Sequence, residues 1–106
     1  MSIDYDHVEV KNNEAKQRYE IRIGDQLAEL KYERDGNGIV YIHTGVPPAL
    51  EGHGLANKLA HTALEDARAA KLTVVPQCPF VAQYIREHSE YLPLLSPSER
   101  PRILHE

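Results

Sequence analysis

The sequence predicts a mixed α/β (α+β) domain of order β-β-β-α-β-α, an antiparallel meander followed by one parallel crossover. Three observations predict it. Apolar residues alternate with polar ones in three segments between Tyr19 and Val46. The period then changes from 2 to 3.6 at Leu55. A short apolar run, Leu72 to Val75, follows the helical pattern and supplies a strand that a helix must connect to the meander.

Each element can be placed in order. Residues 1–6 are polar and predict a loose end. His7 to Lys11 alternates weakly and predicts a first strand or the start of one. Tyr19, Ile21 and Ile23 alternate with Glu20 and Arg22. Gly24-Asp25 marks a turn, after which Ala28, Leu30 and Tyr32 alternate with Glu29, Lys31 and Glu33. Asp35-Gly36-Asn37-Gly38 is a hairpin signal, and Ile39 to Val46 is the next strand. On this strand the pattern places His43 on the face of Ile39 and Tyr41, opposite Ile42 and Thr44.

From Leu55 one stripe holds Leu55, Ala56, Leu59, Ala60, Ala63, Leu64 and Ala67, with Asn57, Lys58, His61, Glu65 and Arg68 opposite. This helix should end near Ala70. The run Leu72 to Val75 reads as a strand buried on both faces, ended by Pro76. Pro79 opens a second helix, Phe80 to Glu87. Pro93, Pro97 and Pro101 predict an extended, partly mobile tail. Residues 1–106 are therefore expected to form one domain, with a core at about 7–92 and a tail at 93–106. The strands flanking the main helix should be parallel and joined by a right-handed crossover.

The 106 residues, 42% of them hydrophobic and 26% charged, fit one globular domain. A net charge of −4 and the lack of a basic run argue against nucleic-acid binding. No apolar stretch approaches the roughly 18 residues of a membrane span. The single cysteine, Cys78, excludes an intramolecular disulfide, and the polar, acidic start does not read as a secretory signal. A cytoplasmic monomer is expected. No metal site is expected, because no Cys-x-x-Cys or His-x-x-x-His spacing occurs.

The segment Glu51-Gly52-His53-Gly54-Leu55-Ala56 carries the most chemistry. A glycine turn between a strand and a helix start leaves backbone N–H groups free, and the helix dipole adds positive character. Such a turn suits a phosphate or pyrophosphate. No Gly-Lys-Ser/Thr follows it, so a nucleotide-hydrolysing P-loop is excluded.

These residues resemble the Gcn5-related N-acetyltransferase superfamily, in its short single-domain branch. The superfamily carries an Arg/Gln-x-x-Gly-x-Gly/Ala turn, matched here by Glu51 to Ala56. The branch is also similar in His43-Thr44-x-Val46-Pro47, in Val75-Pro76-x-Cys78-Pro79-Phe80-Val81-Ala82-x-Tyr84-Ile85, and in His88-x-Glu90-Tyr91. The match spans about residues 7–92. Glu51 stands where Arg or Gln is usual, which implies that its side chain turns outward and leaves binding to the amides. Ser89 stands where proline is frequent. The chain is too short for the two early helices of longer members, which implies an open acceptor site.

The resemblance implies acetyl-coenzyme A as cofactor and an amine as acceptor. It implies that Glu51, Gly52, His53, Gly54, Leu55 and Ala56 hold the pyrophosphate, and that the Val46 backbone pairs with the pantetheine arm. Asn57 and Lys58 fit two roles, contact with the phosphate end or a solvated helix face.

Cys78 follows the end of the last strand and fits either a nucleophile that takes the acetyl group or a small buried hydrophobe. Tyr84 fits a proton donor to the leaving thiolate or a core aromatic. His43 fits a general base or a half-buried structural histidine. His61 reads as solvated, and His7, His88 and His105 have no evident partner. Two readings of function follow, an acetyl-coenzyme A-dependent N-acetyltransferase and a coenzyme A-binding module with little or no turnover. A plain interaction domain would leave the glycine turn without a ligand.

Overall fold

Alternating burial builds the sheet. In the computed structural model, which describes residues 4–104, Tyr19 and Ile21, then Ala28, Leu30 and Tyr32, then Ile39 and Tyr41 are all buried on one face. These residues belong to β2 (Arg18–Ile23), β3 (Gln26–Asp35) and β4 (Gly38–Gly45), which pair antiparallel in sequence order. Gly24 and Gly36 turn the chain between them at positive φ, as the turn signals require. The opposite face carries ion pairs, Arg18 with Glu20 and Arg18 with Glu29 at 3.7 Å.

α1 (Leu55–Ala69) lies on the buried face. Its stripe is the one the period predicts: Leu55, Leu59, Ala60, Ala63, Leu64 and Ala67 are buried, and Ala56 is half-buried. Burying Leu59 or Leu64 contributes about 1.5–3 kcal/mol each. The Tyr41 hydroxyl donates to the Ala63 carbonyl at 2.7 Å, and the Tyr19 hydroxyl donates to Asp66 at 2.9 Å, fixing the helix against the sheet. β5 (Thr73–Pro76) then pairs parallel with β4, from Gly38↔Thr73 to Tyr41↔Pro76. The sheet order is β1-β2-β3-β4-β5. α2 (Pro79–Glu87) follows, as predicted.

Three expectations change. The first strand is not at His7 to Lys11: β1 is Lys11–Asn13. The Asn13 side chain accepts the Lys16 N–H, and Gln17 takes φ +50, so the chain reverses there and pairs Lys11 with Glu20 and Asn13 with Arg18. Residues Tyr5–His7 instead form a 3₁₀ turn capped by Asp4. Second, β5 is fully buried on one face only: Val74 and Pro76 are buried, whereas on the other face Thr73 is exposed and Val75 half-buried.

Third, the tail is not extended over its described part. Ser89–Leu94 is a 3₁₀ helix, Leu95 bridges to Val74 on the free edge of β5, and α3 (Glu99–Leu104) buries Ile103 completely. Pro101 sits in the first turn of α3, where its missing N–H costs nothing. Arg102 donates to the Pro76 carbonyl at 2.9 Å, and Arg86 to the Ile103 carbonyl at 3.3 Å. Residues 1–3 of the expected loose end, and residues 105–106 with His105, lie outside the described residues.

Candidate active site

The site starts at an irregularity in β4. Lys31 pairs with His43, but the next residue of β3, Tyr32, pairs with Tyr41, so Ile42 is an extra residue, a β-bulge. The bulge reverses the alternation beyond it. Thr44, partner of Leu30, joins the buried face, and His43, partner of Lys31, falls on the open one. The expectation that His43 shares a face with Ile39 and Tyr41 is thus overturned. His43 is exposed, with its ring lying over Gly45: a Cβ there would come 3.3 Å from Nε2.

The ladder between β4 and β5 stops at Tyr41↔Pro76. One more bond, from the Cys78 N–H to the Tyr41 carbonyl at 2.9 Å, pins the start of α2 there. Beyond it the two segments part. Cys78 is the N-terminal cap residue of α2 and is 3% exposed. Its sulfur lies 3.3 Å from the Thr44 hydroxyl, so the bulge and the α2 cap together bring these two side chains to the opening of the sheet.

The glycine turn borders this opening. Gly52 and Gly54 take φ +83 and +76, a region that L side chains rarely enter. Gly54 is the N-cap of α1 and offers no side chain to the helix, so no side-chain oxygen takes up the N–H groups of the first turn. A cavity of about 200 Å³ lies against the turn. Val46, Glu51, Gly52, Gly54, Leu55, Ala56 and Asn57 line it, all of them expected cofactor residues. Leu50 and Phe80 complete its apolar wall. The sequence signal for both was present, an apolar residue just before the turn and another in the first turn of α2, but only the tertiary fold makes them neighbours.

Two expected cofactor residues, His53 and Lys58, stand outside the cavity lining, as do the expected catalytic residues Cys78, Tyr84 and His43. The His53 ring stacks on Tyr5, with centroids 3.7 Å apart and planes 1° from parallel. The Lys58 ammonium donates to the Asp6 carbonyl at 3.3 Å.

Tyr84 is buried on α2, one turn beyond Phe80. Its ring stacks on His88 at 3.9 Å and lies 6.2 Å from Tyr91, while His88 Nδ1 meets the Tyr84 carbonyl at 2.8 Å. Burial first, then the carboxylates of Glu90 and Glu65, raise the Tyr84 phenol above its ordinary value, so it stays protonated at neutral pH. Tyr91 donates to Glu65 at 2.6 Å and lies 3.3 Å from His61 Nδ1. His61 and His88 therefore have partners that the sequence pattern did not reveal.

A profile described as GCN5-related N-acetyl-transferase matches residues 18–94. The chain belongs to the GCN5-related N-acetyltransferase family. Its relatives include Protein NATD1 of Gallus gallus and of Mus musculus, each 30% identical over 95 residues, covering 85% of this chain and 86% of theirs. Protein NATD1 of Homo sapiens is also 30% identical, over 85% of this chain and 84% of its own. The NMR solution structure of a GCN5-like candidate N-acetyltransferase from Staphylococcus aureus superposes with a TM-score of 0.67 and 28% identity, over 84% of this chain and 88% of that one. The mixed sheet of this GCN5-related acetyltransferase is thus the family's fold, and the family supports acyl transfer as its chemistry. No helix among the described residues is long and apolar enough to cross a membrane.

Proposed function

We propose that the protein is an acetyl-coenzyme A-dependent N-acetyltransferase acting on an amine, in the cytoplasm. The observation that carries this is the cavity itself: uncapped helix amides and two left-handed glycines at one end, an apolar wall of Val46, Leu50, Leu55 and Phe80 beside them. That combination fits a ligand with a phosphorylated head and an apolar arm. Acetyl-coenzyme A bound there supplies an acetyl group activated as a thioester.

The residues then divide the work. The turn from Gly52 to Ala56 holds the phosphates through its amides, with Asn57 at the rim. Val46 offers backbone hydrogen bonds to the arm. Thr44 and Cys78 face the reacting end. Cys78 is proposed to take the acetyl group on its sulfur, its S–H proton passing to the thiolate that departs. Tyr84 remains protonated and is the second proton source. His43, exposed on the open face of the sheet, is the proposed acceptor of a proton from an incoming ammonium.

A second reading, a coenzyme A-binding module with little turnover, draws on one observation. Glu51 is among the residues that line the cavity, and a carboxylate turned inward there would weaken a pyrophosphate contact by charge repulsion.

A backbone amide NMR titration with acetyl-coenzyme A, and separately with ATP, tests the proposal. Saturable shifts at Gly52, Gly54, Leu55, Ala56 and around Cys78 with acetyl-coenzyme A, and little response to ATP, are expected. No response at the turn at millimolar ligand would sink both readings. Release of free coenzyme A thiol in the presence of a panel of amines separates an enzyme from a binding module.

A further inference from the structure

We propose that a second cavity, beyond the C-terminal end of α1, binds a small molecule carrying a phosphate group. It lies at the far end of α1 from the glycine turn, about 20 Å away along the helix. Its volume is about 430 Å³. One wall is the end of α1 and the start of β5, and the other is the segment from Pro93 to Pro97 with Arg100.

Three cations line this cavity, Arg68, Lys71 and Arg100, and no carboxylate does. That is a local reversal of sign in a chain of net charge −4. Arg68 is partly neutralised by Glu65 at 3.1 Å. Arg100 donates to the Pro93 carbonyl at 3.4 Å and meets no carboxylate among the described residues. The Lys71 ammonium has neither an ion pair nor a hydrogen bond among the described residues. Lys71 and Arg100 thus line one cavity without a carboxylate partner, and a bound dianion supplies the missing counter-charge.

The backbone at Lys71 is a second, independent observation. Lys71 has φ +58, the left-handed conformation that ends a helix and that glycine adopts without strain. Its N–H bonds to the Arg68 carbonyl at 3.2 Å, and the Leu72 N–H bonds to the Ala67 carbonyl at 2.9 Å. A lysine therefore occupies a position where glycine would be less strained, on the lining of the cavity. These bonds take up the Arg68 and Ala67 carbonyls, two of those the helix end leaves without an intrahelical partner. The facing wall is held in place, because Leu95 is buried and bridges to Val74. Thr73 and Ser96 add hydroxyl donors.

The test is an amide NMR titration of the whole chain, at constant ionic strength, with inorganic phosphate and separately with glycerol 3-phosphate. Saturable shifts at Lys71, Thr73, Ser96 and Arg100 are expected, distinct from those at residues 52–56. Saturation by either probe supports the proposal, and the tighter one shows whether a free phosphate or an ester is preferred. Lys71→Gly and Arg100→Gln should each weaken the affinity roughly tenfold, as loss of one charge-assisted contact does. Lys71→Gly should also raise the melting temperature, so its weaker binding is not a folding defect. Shifts confined to residues 52–56, shifts reproduced by sodium chloride alone, or affinity unchanged in both variants would each overturn it.

Discussion

The Cys78 thiol and the Thr44 hydroxyl lie 3.3 Å apart, just past the last paired residues of β4 and β5. Neither is placed by its own element alone. The bulge at Ile42 turns Thr44 inward, and the bond from Cys78 N–H to the Tyr41 carbonyl sets the start of α2. The first prediction follows from this pair. Mixing the protein with acetyl-coenzyme A and no amine should add one acetyl group to the intact chain, detected by mass spectrometry. Cys78→Ala should lack that gain and lose turnover by about 100-fold or more, while the NMR-measured affinity for acetyl-coenzyme A is kept. Unchanged turnover in Cys78→Ala would remove the covalent step and leave direct attack by the amine.

Gly54 caps α1 at φ +76, and a Cβ built on it would meet nothing within 4 Å. Gly54→Ala therefore fails through backbone strain rather than through a clash. The expected cost is about 1–2 kcal/mol, read from urea unfolding. Acetyl-coenzyme A affinity should fall as well, since relief of the strain tilts the amides that border the cavity. A variant as stable as the parent would show that the left-handed cap is not required.

Glu65 gives a pH dependence with a definite sign. The Tyr91 O–H donor foremost, and then the Arg68 cation, hold its carboxyl below its ordinary value of 4.5. A carboxylate with a lowered folded-state value contributes stability above its unfolded value and loses it as pH falls through the folded one. Tyr91→Phe should therefore melt at a lower temperature than the parent at pH 7. The gap should narrow below about pH 4.5 as Glu65 protonates. Melting curves between pH 3 and 7 check this, and a gap independent of pH would assign the loss to packing alone.

Ile103 is fully buried although only Leu104, His105 and Glu106 follow it in the sequence. Ile103→Ala should cost about 2–5 kcal/mol, the ordinary range for a large core truncation. Urea unfolding measures it. A loss under 0.5 kcal/mol, the scale of a surface change, would return this segment to the mobile tail that its prolines suggest.

The sheet and main helix were legible in the sequence because their signals are periodic. Alternation through Tyr19, Ile21, Leu30 and Tyr32, and the 3.6 period from Leu55 to Ala67, each report which side of one element meets the core. The glycine turn was legible for a related reason. Gly52 and Gly54 announce backbone angles that few other residues accept, and the angles alone leave the helix amides open. Local chemistry thus determined the meander, the crossover helix, the glycine turn and the second helix.

The tertiary structure decided the rest, and in each case the cause is a long-range contact. The bulge at Ile42 moved His43 to the open face, and its position depends on pairing with β3. Leu50 and Phe80 became cavity walls only when α2 docked beside the turn. Histidines 61 and 88 found partners on other elements or the next turn, through Tyr91 and Tyr84. Pro93, Pro97 and Pro101 read as an extended tail because proline disfavours helix interiors, yet the free edge of β5 and the burial of Ile103 gave that segment somewhere to fold. Periodicity reports on one element at a time, whereas register, edges and docking depend on residues far apart in the chain, whose pairing no local pattern encodes.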